Sequence, residues 1–524
     1  MRKILSLLLA GLCLAWSCNK DPQTPQEDPA PTAISLSGNT FTSPQEGETI
    51  VLTVTAPSRP QVSGLPAWIK LTDGTFAKYQ ISYTLKVAAN DTYEERSAQM
   101  SVSAGDVSPV SFTVTQAAKA KEEEPTPPDD DTKDNDAWKM AATLGLGWNL
   151  GNQLDAYYNW SGAGDKYLWP DETVWGNPKA TQQTFDKVKS YGFTSVRIPV
   201  TWLGAIGPAP DYKIDAAYMA RVTEVVGYAH NAGLNVIVNT HHDENHGDDH
   251  WLNLKDAPGN AALNTQIKSE ITAVWTQIAG NFKDCGDWLY FEGFNELNDG
   301  GWGWSSAFRA NPYAQCNVLN EWQQTFVDAV RATGGNNATR WLGISTYCAN
   351  PEYEKYLTMP SDPAGHLMLS VHFYDPSDYT IGDAQYSDWG HTGDPGKKAN
   401  YGDEDHVRAV FGNLCSKYVA KNIPVYVGEF GCSMRAKSDT RAWAFYKYYM
   451  EYVVKAAKTF GLPCFVWDNG GEEGAGKEHH AYINHGSGNF MGYGKEIVDV
   501  MKKAWFTESE SYTLETVYNS APRF

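Results

Sequence analysis

Two glutamates carry the strongest chemical signal in this sequence. Glu296 closes the segment Phe294-Asn295-Glu296, and Glu429 sits in Gly428-Glu429-Phe430-Gly431. Each follows an apolar, β-branched run, so each stands at the end of a predicted strand. Two carboxylates facing one another across a shared rim can divide two tasks: one protonates a departing oxygen, and the other attacks the carbon that the oxygen leaves. Their mutual repulsion raises one pKa, so one group stays protonated while the other ionises. Cleavage of a glycosidic bond needs such a pair, held about 5 to 5.5 Å apart where configuration is retained.

The elements that must position this pair follow from periodicity. Residues 137–524 alternate apolar strand-length runs with helix-length segments. The runs lie at 143–150, 195–200, 235–240, 288–295, 341–346, 366–374, 424–429 and 463–467. Helical patterns occupy 184–191, 219–232, 266–282, 322–333 and 443–460. Eight strands with helical crossovers predict an α/β fold, a (β/α)₈ TIM barrel, with a doubly wound open sheet as the rival. Neither G-x-G-x-x-G nor G-x-x-x-x-G-K-[ST] follows the first run, so nothing points to a nucleotide. In such a barrel the reactive groups gather at the C-terminal strand ends. There the sequence places Arg197-Ile198-Pro199-Val200, Asn239-Thr240-His241-His242-Asp243, His372-Phe373-Tyr374 and Val466-Trp467-Asp468.

Ahead of the barrel the organisation changes three times. Arg2 and Lys3 precede an apolar run to Trp16, too short for a membrane span and suited to a signal peptide, residues 1–18. Leu14-Ala15-Trp16-Ser17-Cys18 resembles a bacterial lipobox, which makes Cys18 the lipidation site. Asn19-Lys20-Asp21 resembles the export signal of Bacteroidetes-type surface lipoproteins, implying a lipid anchor in the outer membrane and exposure at the cell surface. An ordinary cleaved signal peptide is the rival. Residues 19–32 read as a flexible tether. Period-two alternation at Thr49–Val54, Ile81–Val87, Gln99–Val102 and Ser111–Thr115 predicts a small all-β, immunoglobulin-like sandwich over residues 33–118. Residues 119–136 are a charged, Pro-containing linker.

Composition narrows the partners. Sixty-two acidic against 42 basic residues give a net charge of −20, which argues against nucleic acid and anionic membrane surfaces. None of the eight cysteines forms a C-x-x-C pair, so neither a zinc site nor a disulfide scaffold is expected. The 19 Trp and 29 Tyr serve equally as packing or as platforms for apolar sugar faces.

The motifs resemble one family. Gly147-Trp148-Asn149-Leu150-Gly151-Asn152, Arg197-Ile198-Pro199, His241-His242, Asn295-Glu296, His372-Phe373-Tyr374, Gly428-Glu429-Phe430-Gly431 and Trp467-Asp468 stand in the order found in glycoside hydrolase family 5. With Val174-Trp175-Gly176-Asn177-Pro178, the first motif resembles the branch of endo-glucanases and xyloglucanases. Phe112 to Ala118 and Pro66-Ala67-Trp68-Ile69 resemble a BACON domain, with binding and spacing roles weighed equally and Trp68 assigned to core. The resemblance makes Glu296 the acid/base and Glu429 the nucleophile. Arg197 then donates to Glu429, Tyr374 hydrogen-bonds the same carboxylate, and Asn295 donates to the sugar 2-OH. His241 positions Arg197 or a sugar hydroxyl, and His372 binds nearby hydroxyls. Trp467 stacks under the sugar, with Trp175 and His242 also binding substrate. No cofactor and no metal are implied.

Several residues have rival readings. His241 and His242, with Asp243, Glu244, His246 and His250 close by, could suggest a metal cluster. Strand alternation would send His241 and His242 to opposite faces. Glu292 shares parity with Glu296 but lies deeper, where a free carboxylate is costly unless paired. Trp302 and Trp304 read as sugar platforms or loop packing, and Asp468, Glu472 and Glu473 as loop charges. The expected activity is endo-hydrolysis of a β-1,4-glucan, cellulose-type or xyloglucan. Mannan, xylan or mixed-linkage glucan hydrolysis are the enzyme alternatives. A surface glycan-binding lipoprotein on an inactive barrel is the other class, and the intact pair of glutamates argues against it.

Overall fold

The computed structural model describes residues 29–90, 92, 94–118, 133–159, 168–244, 250–382, 385–471 and 478–524. The leader with Cys18, most of the tether, and His246, Glu472 and Glu473 lie outside them. The chain divides into two compact units at residues 123/124.

The N-terminal unit has two four-stranded sheets. One orders Ser35–Leu36, Thr49–Thr55, Gln80–Val87 and Ile69–Asp73; the other orders Thr40–Ser43, Val107–Gln116, Arg96–Ala104 and Gln61–Ser63. Alternation decides which side chains go inward. Leu52, Val54, Tyr83, Leu85, Val102, Phe112 and Val114 are all buried, with Thr and Ser between them facing outward. Trp68 is half-buried against this core, with the Arg96 guanidinium 4.6 Å from its ring centre.

The C-terminal unit is a closed eight-stranded parallel barrel. Its strands are β1 (Leu146–Asn149), β2 (Ser195–Ile198), β3 (Asn235–Asn239), β4 (Leu289–Glu292), β5 (Leu342–Ser345), β6 (Leu367–Phe373), β7 (Val425–Phe430) and β8 (Cys464–Val466). The long helices are α1 (Asp136–Leu144), α2 (Gln182–Ser190), α3 (Ala216–Asn231), α4 (Ala261–Asn281), α5 (Pro312–Ala332), α6 (Glu404–Lys417), α7 (Thr440–Thr459) and α8 (Gly494–Phe506). The first expected strand loses Thr143 and Leu144 to α1, which Asn135 caps by accepting from the Trp138 N–H at 3.0 Å. After β5 the chain makes a 3-10 turn, Pro351–Tyr356, in place of a long helix. The six barrel cysteines are free thiols, five of them buried.

The barrel interior is layered. Met140 and Leu144 of α1 pack beneath Ile237, Tyr290, Met368, Tyr426 and Phe465, forming an apolar floor. Two residues further along β3, β4 and β6, the same inward faces carry Asn239, Glu292 and Ser370. Strand β7 breaks this parity. Val371 pairs with Val427, but His372 pairs with Glu429, so Gly428 is an extra residue in a bulge. A bulge re-aims the next side chain. Here it turns Glu429 inward, whereas strict alternation from Tyr426 would have sent it out.

Candidate active site

The rim opens into a cleft of about 1480 Å³, lined by Glu296, Glu429, His241, His242, His372, Tyr374, Trp175 and Trp467 among others. Arg197 is central and fully buried. Its Nη1 donates to Glu429 Oε1 at 2.6 Å and to Asn149 Oδ1 at 3.1 Å. Its Nη2 donates to Asn295 Oδ1 at 2.7 Å and to Glu292 Oε1 at 2.6 Å, and its Nε to Glu292 Oε2 at 3.2 Å. Asn149 holds the bulge as well, its Nδ2 donating to the Gly428 carbonyl at 2.9 Å.

Glu429 also accepts from the Tyr374 hydroxyl at 3.0 Å. Burial pushes the Glu429 carboxyl above its usual range, and the Glu296 charge adds to this; the Arg197 guanidinium pulls it back. Donors to the charged form stabilise it against burial, and Glu429 holds two. Burial and the neighbouring glutamates raise Tyr374 well above its usual value, so its hydroxyl remains a donor.

Glu296 Oε1 lies 2.6 Å from His372 Nδ1. Burial holds His372 down to about 4, so the imidazole is neutral over the ordinary pH range. A carboxylate oxygen of Glu296, one of Glu429 and a His372 nitrogen all fall within 4.8 Å of one another. That close approach fits the separation of about 5 to 5.5 Å used for retention rather than the roughly 6.5 to 9.5 Å that inversion needs.

His241 has its tautomer fixed from behind. The Asn239 Oδ1 accepts from the Val200 N–H at 3.1 Å, so its Nδ2 is the group 3.2 Å from His241 Nδ1. Nδ1 therefore accepts, and Nε2 carries the proton. That Nε2 faces Glu429 Oε1 and Asp155 Oδ2, 4.0 Å from each. Burial keeps His241 neutral, with the positive charges of its neighbours adding to the effect. His241 is linked to Arg197 through two hydrogen-bonded neighbours: Asn239 Nδ2 donates also to Glu292 Oε1 at 2.9 Å, and that oxygen accepts from Arg197 Nη2.

The alternation argument for His241 and His242 does not hold. Strand β3 ends at Asn239, so both residues lie in the loop beyond it, and their rings are 4.4 Å apart. Asp155, His241 and His242 converge within 4.8 Å. Burial acts to lower His242, but Glu244, Asp155 and Glu296 outweigh it and raise the group to about 9. It is a cation beside a carboxylate in the cleft wall. Asp468 is likewise no loop charge: fully buried, it accepts from Trp148 Nε1 at 2.8 Å and the Ile483 N–H at 2.9 Å.

Trp467 lies parallel to the His241 ring at 5.8 Å. Trp175 is 40% exposed and leans on Tyr157 and His242. Trp302 and Trp304 line the cleft on the loop after β4, and Trp304 is 78% exposed. Asp299 ties down this loop by accepting from Gly301 N–H at 3.0 Å, Gln315 Nε2 at 2.8 Å, Tyr347 and Ser305.

A Cellulase (glycosyl hydrolase family 5) model matches residues 158–473. The chain belongs to that family. A putative N-terminal binding domain, BACON, matches residues 60–117. A xyloglucan-specific endo-beta-1,4-glucanase of Bacteroides ovatus is 32% identical over 439 residues, spanning 81% of this chain and 83% of that protein. A solved Bacteroidetes-affiliated GH5 cellulase linked with a polysaccharide utilization locus is 42% identical, with TM-score 0.69, over 75% of this chain and 99% of that one. A solved GH5-4 broad specificity endoglucanase from Bacteroides salanitronis is 47% identical, with TM-score 0.66, over 74% and 99%.

In this family 5 hydrolase, the residues expected around the two glutamates converge on one rim. Four others in the network had no assigned role in the sequence. Asn149 stood in a quoted motif. Asn239 lies near the end of the third apolar run and Tyr426 within the seventh, with nothing in the pattern to single out either, and Asp155 lies outside every motif and run.

Proposed function

We propose that Glu429 is the nucleophile and Glu296 the acid/base of a retaining endo-β-1,4-glucanase acting on plant cell-wall glucans. Family membership gives the reaction: hydrolysis of internal β-1,4-glucosidic bonds in two displacements. In the first, a Glu429 oxygen bonds to the anomeric carbon. The bond to the leaving oxygen breaks, and Glu296 gives that oxygen its proton. In the second, Glu296 takes a proton from water, the water oxygen bonds to the anomeric carbon, and Glu429 leaves as carboxylate. The approach of both carboxyls within 4.8 Å is the observation that carries this reading.

The neighbours take supporting roles. Arg197 uses the Asn295 Oδ1, so the amide NH₂ is the end left to meet the sugar 2-OH. The His241 Nε2–H, too far from either carboxylate for a hydrogen bond, is available to a sugar hydroxyl. His372 orients the Glu296 carboxyl. Trp467 stacks under the sugar at the point of cleavage, with Trp175 and His242 at a neighbouring subsite. An open cleft of about 1480 Å³ with exposed Trp302 and Trp304 accepts the middle of a chain, branched xyloglucan included.

The test is a 2-deoxy-2-fluoro cellobioside trap followed by peptide mass spectrometry, with the product anomer read by NMR. A label on Glu429 and a β-configured first product are expected. A label elsewhere overturns the assignment. Reducing ends released from xyloglucan, carboxymethyl cellulose, mixed-linkage glucan, mannan and xylan rank the substrates. Activity on mannan or xylan alone overturns the glucan reading.

We also propose that Cys18 is lipidated and that the protein is anchored in the outer membrane, facing outward. The lipobox-like Leu14-Ala15-Trp16-Ser17-Cys18 supports this. Labelled palmitate should enter the wild type and be lost in Cys18→Ala. Equal labelling in both overturns the anchor.

A further inference from the structure

Glu292 does not reach the substrate, being 0% exposed beneath the rim on β4. Nevertheless it is the most heavily hydrogen-bonded carboxylate of the network. Its Oε1 accepts from Arg197 Nη2 at 2.6 Å and Asn239 Nδ2 at 2.9 Å. Its Oε2 accepts from Arg197 Nε at 3.2 Å, Ser370 Oγ at 3.1 Å and the Tyr426 hydroxyl at 2.6 Å. Gly343 on β5 leaves the room for this arrangement, since a Cβ there would fall 2.2 Å from the Tyr426 oxygen.

One guanidinium therefore serves two carboxylates, Glu292 and Glu429. The other titratable groups facing them are His372, His241, Tyr374 and Tyr426, with Glu296 above. Burial keeps both imidazoles neutral and both hydroxyls protonated. With Glu429 ionised, Arg197, Glu292 and Glu429 together carry one net negative charge. Once Glu429 has become an ester, Arg197 and Glu292 remain as a neutral pair. Without Glu292, the same step would leave a bare buried cation beneath an anomeric carbon that is itself gaining positive charge. Losing one partner of a buried ion pair leaves that kind of uncompensated charge, and the repulsion is strong where water is excluded.

We propose that Glu292 is a positioning residue that takes up the charge of Arg197, letting the guanidinium orient Glu429 without opposing the positively charged transition state. This rests on the reading of Glu429 as nucleophile.

The experiment is Glu292→Gln in the full chain, followed on an aryl β-cellobioside across pH. Turnover should fall about a hundredfold, the scale of losing one preorganised electrostatic contact, with KM nearly unchanged. The acid limb of kcat/KM, which reports the free enzyme's nucleophile, should move to lower pH, because Glu429 then has Arg197 to itself. Glu292→Asp, which keeps the charge, should return the limb towards its wild-type position. A purely structural role predicts lost activity with the limb in place. If the single variant fails to fold, Glu292→Gln with Tyr426→Phe removes the phenol opposing the new amide and carries the same expected shift. An unmoved limb overturns the proposal, as does an Asp variant shifted as far as Gln. The fluoro-sugar trap separates the two failures. A label on Glu429 with an unmoved limb sinks only the role of Glu292, whereas a label elsewhere sinks the nucleophile assignment itself.

Discussion

The sandwich and the barrel solve burial in opposite ways. In the sandwich the described buried polar residues are Ser43, Asn90 and Gln116, none of them charged. Backbone carbonyls satisfy the two amides: Asn90 Nδ2 donates to Glu94 and Ala117 at 2.9 Å each, and Gln116 Nε2 to Ala88 at 2.9 Å. The barrel buries Arg197, Glu292, Glu429, Asp155, Asp243 and Asp468. A buried charge is tolerated only when paired and hydrogen-bonded. Arg197, Glu292 and Glu429 are paired in this way in a polar layer between the apolar floor and the cleft. The sandwich core is therefore explained by packing alone, whereas the barrel core needs chemistry to explain it.

The largest test of that contrast is Glu429→Gln. Removing the nucleophile should lower turnover about 10⁴- to 10⁶-fold while glucan binding persists, measured by reducing ends and by calorimetry. Near-normal turnover would place the chemistry elsewhere. A smaller effect should come from Gly428→Ala. The added Cβ would lie 3.2 Å from both His372 Nε2 and Ser370 Oγ. The neighbours must then give by a few tenths of an ångström at the bulge that aims Glu429. Misplacement on that scale should reduce kcat roughly tenfold, with little change in Tm. An unaltered kcat would mean that the bulge tolerates movement and that the polar layer is less preorganised than its hydrogen bonds suggest.

This contrast also sorts what the sequence revealed. Period two at Thr49–Val54 and Ile81–Val87 is legible directly, because in the sandwich pattern and burial coincide; the strands run Thr49–Thr55 and Gln80–Val87. The eight barrel strands are legible as apolar runs. Parity fails at three places for a physical reason, the first being Glu296, which cannot share a face with Glu292 by alternation because β4 ends at Glu292 and Glu296 lies in the loop beyond it. At Glu429 a bulge reset the phase, and no residue count shows a bulge. At His241 and His242 the strand had already ended, so alternation had nothing to act on. The partners of Glu292 come from β2, β3, β6 and β7, far apart in sequence, and only closure of the barrel brings them together. The 3-10 turn after β5 was equally hidden, since Pro351 and the short apolar spacing there fit either kind of connection.

Stability should depend on pH through the barrel. Glu270 on α4 is 8% exposed, and burial, with Asp243 adding to it, raises its carboxyl to about 7. A raised folded-state pKa means that the fold prefers the protonated form. That contribution is present below the ordinary carboxylate range and is lost as pH rises through about 7. Glutamine cannot ionise. Glu270→Gln should therefore gain about 1 to 3 kcal/mol over wild type at pH 8 and little at pH 5, read by thermal unfolding at both. An equal gain at the two pH values would assign the effect to packing.

The smallest effect should come from removing the sandwich. Its described residues place one large hydrophobic side chain, Val51, well into solvent, whereas the barrel exposes Trp175, Trp302, Trp304 and Tyr401 at its cleft. Sugar faces need flat apolar surface to stack on, and among the described residues the sandwich offers no exposed aromatic ring for it. Its core is also a separate cluster, sharing no residue with those of the barrel, as expected of units that fold on their own. A protein starting after Cys18 and one that also lacks residues 19–123 should thus agree in kcat/KM on soluble xyloglucan within about twofold. Affinity gels containing the same glucan should retard both equally. A tenfold loss on deletion, or retardation that depends on the sandwich, would show that its half-buried Trp68 and neighbours present a sugar-binding surface, and that the two units share the substrate.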